Sequence, residues 1–384
     1  MFITHLILRN WRNFRDVDID LREVSYIVGA NASGKSNLLD VFRFLRDISK
    51  ESGGGLQKAI NDRGGISKLR CLHARQHPVV HVEVHMSSDF DYETPEWVYI
   101  LAFKPEGTGS HRTLITEEKV IHNGEIILFR PGNDDKTDEA RLTQTHLEQI
   151  QANNKFRDIS KFFSEINYLH IVPQMIKHAD FIGGSHLDDD PYGQDFLRNI
   201  ARTAPNTRRN RLNKIQEALA LAVPQFKELK FETDELGRPH LHALYQHHRP
   251  KGGWQKEDQF SDGTLRLIGI LWSLMESSSV LLLAEPEISL NDAIIEQLPV
   301  IFTKVRPSKR KRQVIITTHS EKLLSNKGID ARGVVILEST SDGTKARPIN
   351  ERETTTIKAG FSIADVALPK TRPSKIEQLS LWPQ

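Results

Sequence analysis

Gly29-Ala30-Asn31-Ala32-Ser33-Gly34-Lys35-Ser36 meets the pattern G-x-x-x-x-G-K-[ST] at every defined position. The flanks match it. Before it, "SYIV" (25–28) has strand character; after it, Leu38, Leu39, Phe42, Leu45 and Ile48 recur at spacings of three and four, the period of an amphipathic helix. Strand, glycine-bearing loop and helix in that order form a phosphate cradle. The glycines let the backbone wrap the anion, while the N–H groups from Gly29 to Asn37 and the helix N-terminus bind it. Lys35 is placed to reach the β and γ phosphates, and the Ser36 hydroxyl to ligate magnesium. A loop of this kind does not by itself choose among GTPases, kinases and ATPases.

The last third of the chain makes that choice. From Thr264 onward, helix and strand signals alternate: helices at 264–276, 291–305 and 321–325, strands at 280–283, 313–317 and 333–337. That is the βα rhythm of a parallel sheet. "FSDGTLR" (260–266) stands immediately before the first of these helices, so Ser261 is suited either to cap the helix or to present its hydroxyl, with the Gly263 amide, to a phosphate. "VLLLAEPE" (280–287) is a buried strand running into an acidic turn, and "VIITTHS" (314–320) ends a strand on His319, where parallel sheets place ligands.

Together these segments resemble the RecF/SMC-like branch of ABC-type ATPases, among the bacterial AAA family ATPases related to OLD and abortive-infection proteins. "LRNWRNFRDVDIDL" is similar to that branch's hairpin before the P-loop, "FSDGTLR" to its signature, "LLLAEPEISL" to its Walker B and D-loop, and "TTHS" to its switch-histidine segment. The likeness covers about residues 1–105 and 255–340. It implies an α/β P-loop NTPase fold: an ABC-type ATPase head with a mixed β-sheet and a helical insertion. No heptad pattern is sustained long enough for a coiled-coil arm. It further implies that ATP and Mg2+ sit between two copies of the chain, with Lys35 and Ser36 of one copy on the phosphates and Ser261, Asp262 and Gly263 of the other over the γ-phosphate. His319 would contact that phosphate, Gln174 would serve as a Q-loop ligand of magnesium, and Arg12 would reach the nucleotide in its own head.

The departure is Ala284. In the family pattern the first acid after the strand fixes magnesium and the second polarises the attacking water. Here Glu285 keeps the second place, as general base, and alanine holds the first. Three explanations stand open: Asp262, Glu287 or Gln174 helps hold the metal; an acid-to-alanine change was introduced to block turnover; or ATP is bound as a switch and scarcely hydrolysed. Removing one preorganised electrostatic group predicts a rate loss of roughly 10²–10³-fold.

At 384 residues the chain can bury one large core with insertions. The expected organisation is a P-loop lobe over 1–106, an insertion over 107–254, the remainder of the ATPase head over 255–345 and a tail over 346–384, with "RPGNDDKTDEARLTQ" (130–144) as an exposed linker. No apolar run approaches the roughly 20 residues of a membrane span. With no secretory pattern at the N-terminus and a single cysteine, Cys71, a cytoplasmic protein is expected. A net charge of +2 gives no whole-molecule pull toward nucleic acid, so a DNA contact would rest on a local cluster: Arg306, Lys309, Arg310, Lys311 and Arg312. His81, Glu83 and His85 are expected on one face of a strand. What the family implies for biology is a homodimer or larger homo-oligomer that regulates a separately encoded nuclease or toxin in anti-phage defence. The alternatives are a RecF-like DNA-repair ATPase and a scaffold that ATP merely cements.

Overall fold

Apolar–polar alternation over the first 20 residues folds as a hairpin of β1 (Phe2–Trp11) and β2 (Phe14–Asp20), with Leu8 opposite Val17 and Trp11 opposite Phe14. Leu6, Leu8 and Val17 are buried while Arg9 and Asp16 face solvent, the one-sided burial an antiparallel sheet allows. The computed structural model describes residues 1–73, 78–90, 94–107, 112–179, 190–246, 253–276, 279–304 and 312–371. Two compact units emerge: residues 1–167, 278–282 and 313–384 form the first, residues 168–277 and 283–312 the second.

In the first unit the hairpin continues through β4 (Val80–Ser87), β5 (Trp97–Pro105), β6 (Thr113–His122) and β7 (Glu125–Arg130), giving an antiparallel sheet in the order β2-β1-β4-β5-β6-β7. A second sheet is built on β3 (Val24–Gly29), which lies parallel to both β13 (Gln313–Thr318) and β14 (Val334–Thr340); β15 (Gly343–Pro348) closes against β14 antiparallel. With β12 (Val280–Ala284) and β8 (Asn167–Leu169) its order is β15-β14-β3-β13-β12-β8. "SYIV" and "QVIITT" are buried at every position, as strands covered on both faces must be. Along this unit the helices are α1 (Lys35–Ser49), α2 (Leu56–Asn61), α3 (Ile66–Leu69), α4 (Asn133–Thr137), α5 (Arg157–Ser164), α11 (Glu321–Leu324), α12 (Glu351–Lys358) and α13 (Ile363–Thr371). Among them α1 packs on α5, and α13 packs on β14 and β3.

The stretch expected to be an exposed linker is instead knitted into this unit. Arg130 is 2% exposed; its Nη1 donates to Glu118 Oε2 at 2.9 Å, its Nη2 to Asp135 Oδ1 at 2.7 Å, and both nitrogens reach backbone carbonyls, of Gln144 and Arg141. A buried cation has to be answered by buried acceptors; Glu118 of β6 supplies one, and Asp135 with the carbonyls of Arg141 and Gln144 supplies the rest. Domain boundaries therefore fall elsewhere than expected: residues 113–167 belong with the P-loop sheets, and β15, α12 and α13 do so as well.

The second unit holds α6 (Pro173–Lys177), α7 (Phe196–Arg202), α8 (Pro205–Ala222), α9 (Asp262–Leu274) and α10 (Asp292–Lys304), with a small antiparallel sheet of β9 (Phe226–Thr233), β10 (Pro239–Tyr245) and β11 (Trp254–Lys256) in the order β11-β10-β9. The β9–β10 hairpin turns at Gly237, whose φ of 78° is a conformation that glycine adopts without cost. Among the described residues α8, at 18 residues, is the longest helix, and no helix is long and apolar enough to cross a membrane.

Candidate nucleotide site

The parallel register of β3 and β13 sets Val28 beside Thr318. The loop that leaves β3 and the exposed His319 that leaves β13 consequently start from the same end of one sheet. Within the loop Ala32 and Gly34 take left-handed φ values of 64° and 97°. Lys35 is 6% exposed, and its ammonium donates to the carbonyls of Gly29, at 2.9 Å, and Ala30, at 3.0 Å. Ser33 Oγ is buried without a hydrogen-bond partner, and a Cβ at Gly29 would stand 2.3 Å from it. A tight loop closed on its own lysine, with a buried hydroxyl left to satisfy and a helix N-terminus behind it, is a donor set that suits a triphosphate; Ser36 stands at the start of α1.

Asn13, in the β1–β2 turn, braces this loop and went unnoticed in the sequence. Its Nδ2 donates to the Ser33 carbonyl at 3.1 Å and to Thr344 Oγ1 at 2.8 Å, and its Oδ1 accepts from Asn37 Nδ2 at 2.8 Å. Trp11 Nε1 adds a bond to the Asn37 carbonyl at 2.9 Å. Thus the Asn37 side chain ties the hairpin to α1. Arg12, expected at the nucleotide, is engaged elsewhere: its Nε and Nη2 meet Asp40 Oδ2 at 3.0 and 2.6 Å. Two bonds to one buried carboxylate fix the guanidinium as part of the scaffold.

The second unit carries the other expected residues. Ser261 is the N-cap of α9: its Oγ accepts from Thr264 N at 3.1 Å and shares a hydrogen bond with Thr264 Oγ1 at 2.8 Å. Asp262 is held by Lys177 Nζ at 2.7 Å and Gln174 Nε2 at 2.8 Å. The Lys177 hydrogen bond, then that of Gln174, keeps its carboxyl below the usual range. Gln174 lies in the short helix α6, which Pro173 opens at its first position. A Cβ at Gly263 would fall 2.6 Å from the Ser289 carbonyl oxygen, so the glycine permits close packing of α9 on the turn after β12. In that turn Glu285 takes a left-handed φ of 46°. Backbone carbonyls there have partners: His170 Nδ1 donates to Ala284 O at 3.2 Å, and Arg266 Nη1 to Glu285 O at 3.4 Å. Long-range pairs of this kind leave no spacing to read in a sequence.

Of the basic run 306–312 only Arg312 lies within the described residues. It is 2% exposed, and its Nη1 donates to the Ser273 carbonyl and, at 3.4 Å, to that of Glu276. A cation at the C-terminus of α9 answers carbonyls that the helix leaves unpaired, so Arg312 is withdrawn from any contact with DNA. Arg306, Lys309, Arg310 and Lys311 lie outside the described residues. On β4, Glu83 accepts hydrogen bonds from His81, at 3.3 Å, and His85, at 2.7 Å, so the three share one face. No group of three or more His, Cys, Asp or Glu side chains among the described residues is placed to hold a metal ion.

Comparison with known proteins agrees with this architecture. A protein-family model described as "AAA domain, putative AbiEii toxin, Type IV TA system" matches residues 24–325. The DNA replication and repair protein RecF of Synechocystis sp. is 28% identical over 87 residues, 22% of this chain and 23% of RecF, so the match spans under a quarter of that relative's length. The SmcHead bound to the C-winged helix domain of ScpA superposes with a TM-score of 0.55 at 14% identity, covering 93% of this chain and 100% of that one. The Smc head domain with an extended coiled coil, bound to the C-terminal domain of ScpA and derived from Pyrococcus furiosus, gives 0.51 at 15% identity, covering 93% and 98%. At such identities the likeness is one of fold: a P-loop ATPase of the SMC-head type, here with no long coiled coil among the described residues.

Proposed function

The chain belongs to the family described as "AAA domain, putative AbiEii toxin, Type IV TA system", and we propose that it is an ABC-type ATP-binding subunit that dimerises around ATP and regulates a separate effector. The observation that carries this is the loop closed on Lys35 with His319 leaving the neighbouring strand at the same end of the sheet. Bound Mg-ATP supplies the γ-phosphate for transfer to water. On binding, Lys35 would exchange the Gly29 and Ala30 carbonyls for phosphate oxygens, and the Ser36 hydroxyl would hold the metal. Ser261, Asp262 and Gly263 of a second copy close the site from the other side, with His319 on the γ-phosphate, Gln174 on magnesium and Glu285 as the base that orients water.

Hydrolysis by this chain is impaired at Ala284. Of the two carboxylates that might replace the lost acid, Asp262 is already paired with Lys177. Glu287 is 6% exposed and shares the field of Arg266. Neither is an uncommitted ligand for a divalent ion, which favours a nucleotide-held state over a relocated metal site. The family description names a putative toxin and a toxin–antitoxin system, and a role beside an effector in cytoplasmic anti-phage defence is part of the proposal. A second reading, a RecF-like repair ATPase, is favoured by the 87-residue match alone.

Phosphate release from Mg-ATP is the test, with this chain and Ala284→Glu compared at equal concentration. Turnover by the glutamate form, at roughly 10²–10³ times the rate of the parent, is expected. Equal turnover by the two would overturn the role given to Ala284. ATP-dependent retention of duplex DNA by the glutamate form would move the assignment to the repair reading.

A further inference from the structure

The second unit contains an elongated cavity of about 560 Å³ between α8 and α9, lined also by Lys304 at the end of α10. Of the α8 residues that line it, Thr207, Arg211, Lys214, Ala218 and Leu221 follow one another along the helix. Their spacings of four, three, four and three mark one stripe of a helix, four turns or about 21 Å long. A stripe of that period is the seam against which another helix packs. It has an apolar base, because Ile215, Leu271 and Met275 are 0%, 2% and 9% exposed, and an apolar edge, because Leu221 is 90% exposed.

Charge defines what fits. Arg211, Lys214 and Lys304 line the groove against one carboxylate, Glu217. Arg211 is held in place over the Trp272 ring, 5.0 Å from its centroid, and Lys214 and Lys304 are exposed. We propose that this groove docks an amphipathic helix of a partner protein, with leucine-like side chains on the base and Asp or Glu flanking them toward Arg211, Lys214 and Lys304. An apolar base flanked by cations is the pattern that helix-in-groove recognition uses. Duplex nucleic acid would answer the three cations but has no side chains to cover Leu221 and Met275, so it fits half of the surface. This inference stands apart from the ATPase reading, since none of these residues lies in the P-loop or in the turn after β12.

A fluorescein-labelled 18-residue peptide with leucines on one helical face and glutamates flanking them is the probe, alongside the same peptide with lysines for glutamates and a 20-base-pair duplex. Fluorescence anisotropy should show the acidic peptide bound by the parent chain in the micromolar range. Lys214→Glu/Lys304→Glu, at two exposed positions, should weaken it about tenfold or more and should gain affinity for the lysine peptide. Leu221→Asp should weaken the acidic peptide too. Equal binding of the acidic peptide by parent and charge-reversed chains would overturn the proposal. So would tight binding of the duplex that the same reversal abolishes, which would assign the groove to nucleic acid.

Discussion

Arg12 and Arg63 converge on a single carboxylate oxygen, Asp40 Oδ2, which lies 3.0 Å from Arg12 Nε and 3.0 Å from Arg63 Nε, with Arg12 Nη2 closer still at 2.6 Å. Asp40 sits on the helix that follows the P-loop, Arg12 in the β1–β2 turn and Arg63 between α2 and α3. One buried acid therefore ties three segments of the first unit together. Asp40→Asn should lower stability by about 2–3 kcal/mol, because two guanidinium groups would lose a charged acceptor. Urea denaturation measures this. Arg12→Ala should also lower the urea midpoint, while leaving ATP affinity within about threefold of the parent. A large loss of ATP affinity at an unchanged midpoint would return Arg12 to the nucleotide.

Lys35 presents the opposite case, a buried cation that donates to carbonyls of its own loop. In the proposed site a phosphate replaces these bonds. Lys35→Ala should therefore cost ATP affinity about tenfold to a hundredfold, the value of one charge-assisted contact. Stability without nucleotide should change far less. Isothermal titration of ATP into both chains, beside their melting curves, separates the two effects. Equal affinities would mean that the loop does not bind phosphate through this lysine.

What could be read in the sequence was local. Strand, loop and helix around Gly29–Ser36 follow from a motif and two periodicities. The cap at Ser261 was likewise readable, since the residue stands just before an apolar helix. Asn13 was not, because it bonds to Thr344, 331 positions away, and no spacing carries that. Arg130 looked like part of a solvated run until its carboxylate partners, Glu118 and Asp135, folded over it. Arg312 misled in the same way, since a dense basic run says nothing of which member turns inward. Pro173, before Gln174, is a local signal as well, since proline favours the first position of a helix.

Gly263 tests the packing of α9 on the turn after β12. An alanine methyl there would meet the Ser289 carbonyl oxygen at 2.6 Å, and a backbone atom cannot swing aside as a side chain can. Ser289 is itself left-handed, at φ 63°, and belongs to the same turn as Glu285, whose carbonyl accepts from Ile288 N at 3.3 Å. Gly263→Ala should lose about 1–3 kcal/mol of stability. Placed on the Ala284→Glu background, it should lower the turnover number more than it raises the KM for ATP, because the base moves while the P-loop does not. Unchanged stability and turnover would show that the turn yields freely.

Asp190 gives the second unit a pH dependence of definite sign. Burial pushes its carboxyl up to about 6, from an ordinary 3.8, against the backbone N–H groups of Asp195, Gln194 and Gly193, which favour the charged form. Between those two values the folded chain holds a proton that the unfolded chain has released. The associated stability is therefore complete below about pH 4, falls as pH rises through 6 and stays lost above it. Because solvent reaches part of the group, the loss should be on the order of 1 kcal/mol. Asp190→Asn keeps an oxygen for the Asp195 N–H, bonded at 2.9 Å, and removes the titration. Urea midpoints should then coincide for the two chains at pH 4 and separate at pH 8, with the asparagine form the more stable. Midpoints that differ by the same amount at both values would mean that Asp190 titrates alike in the folded and unfolded chains.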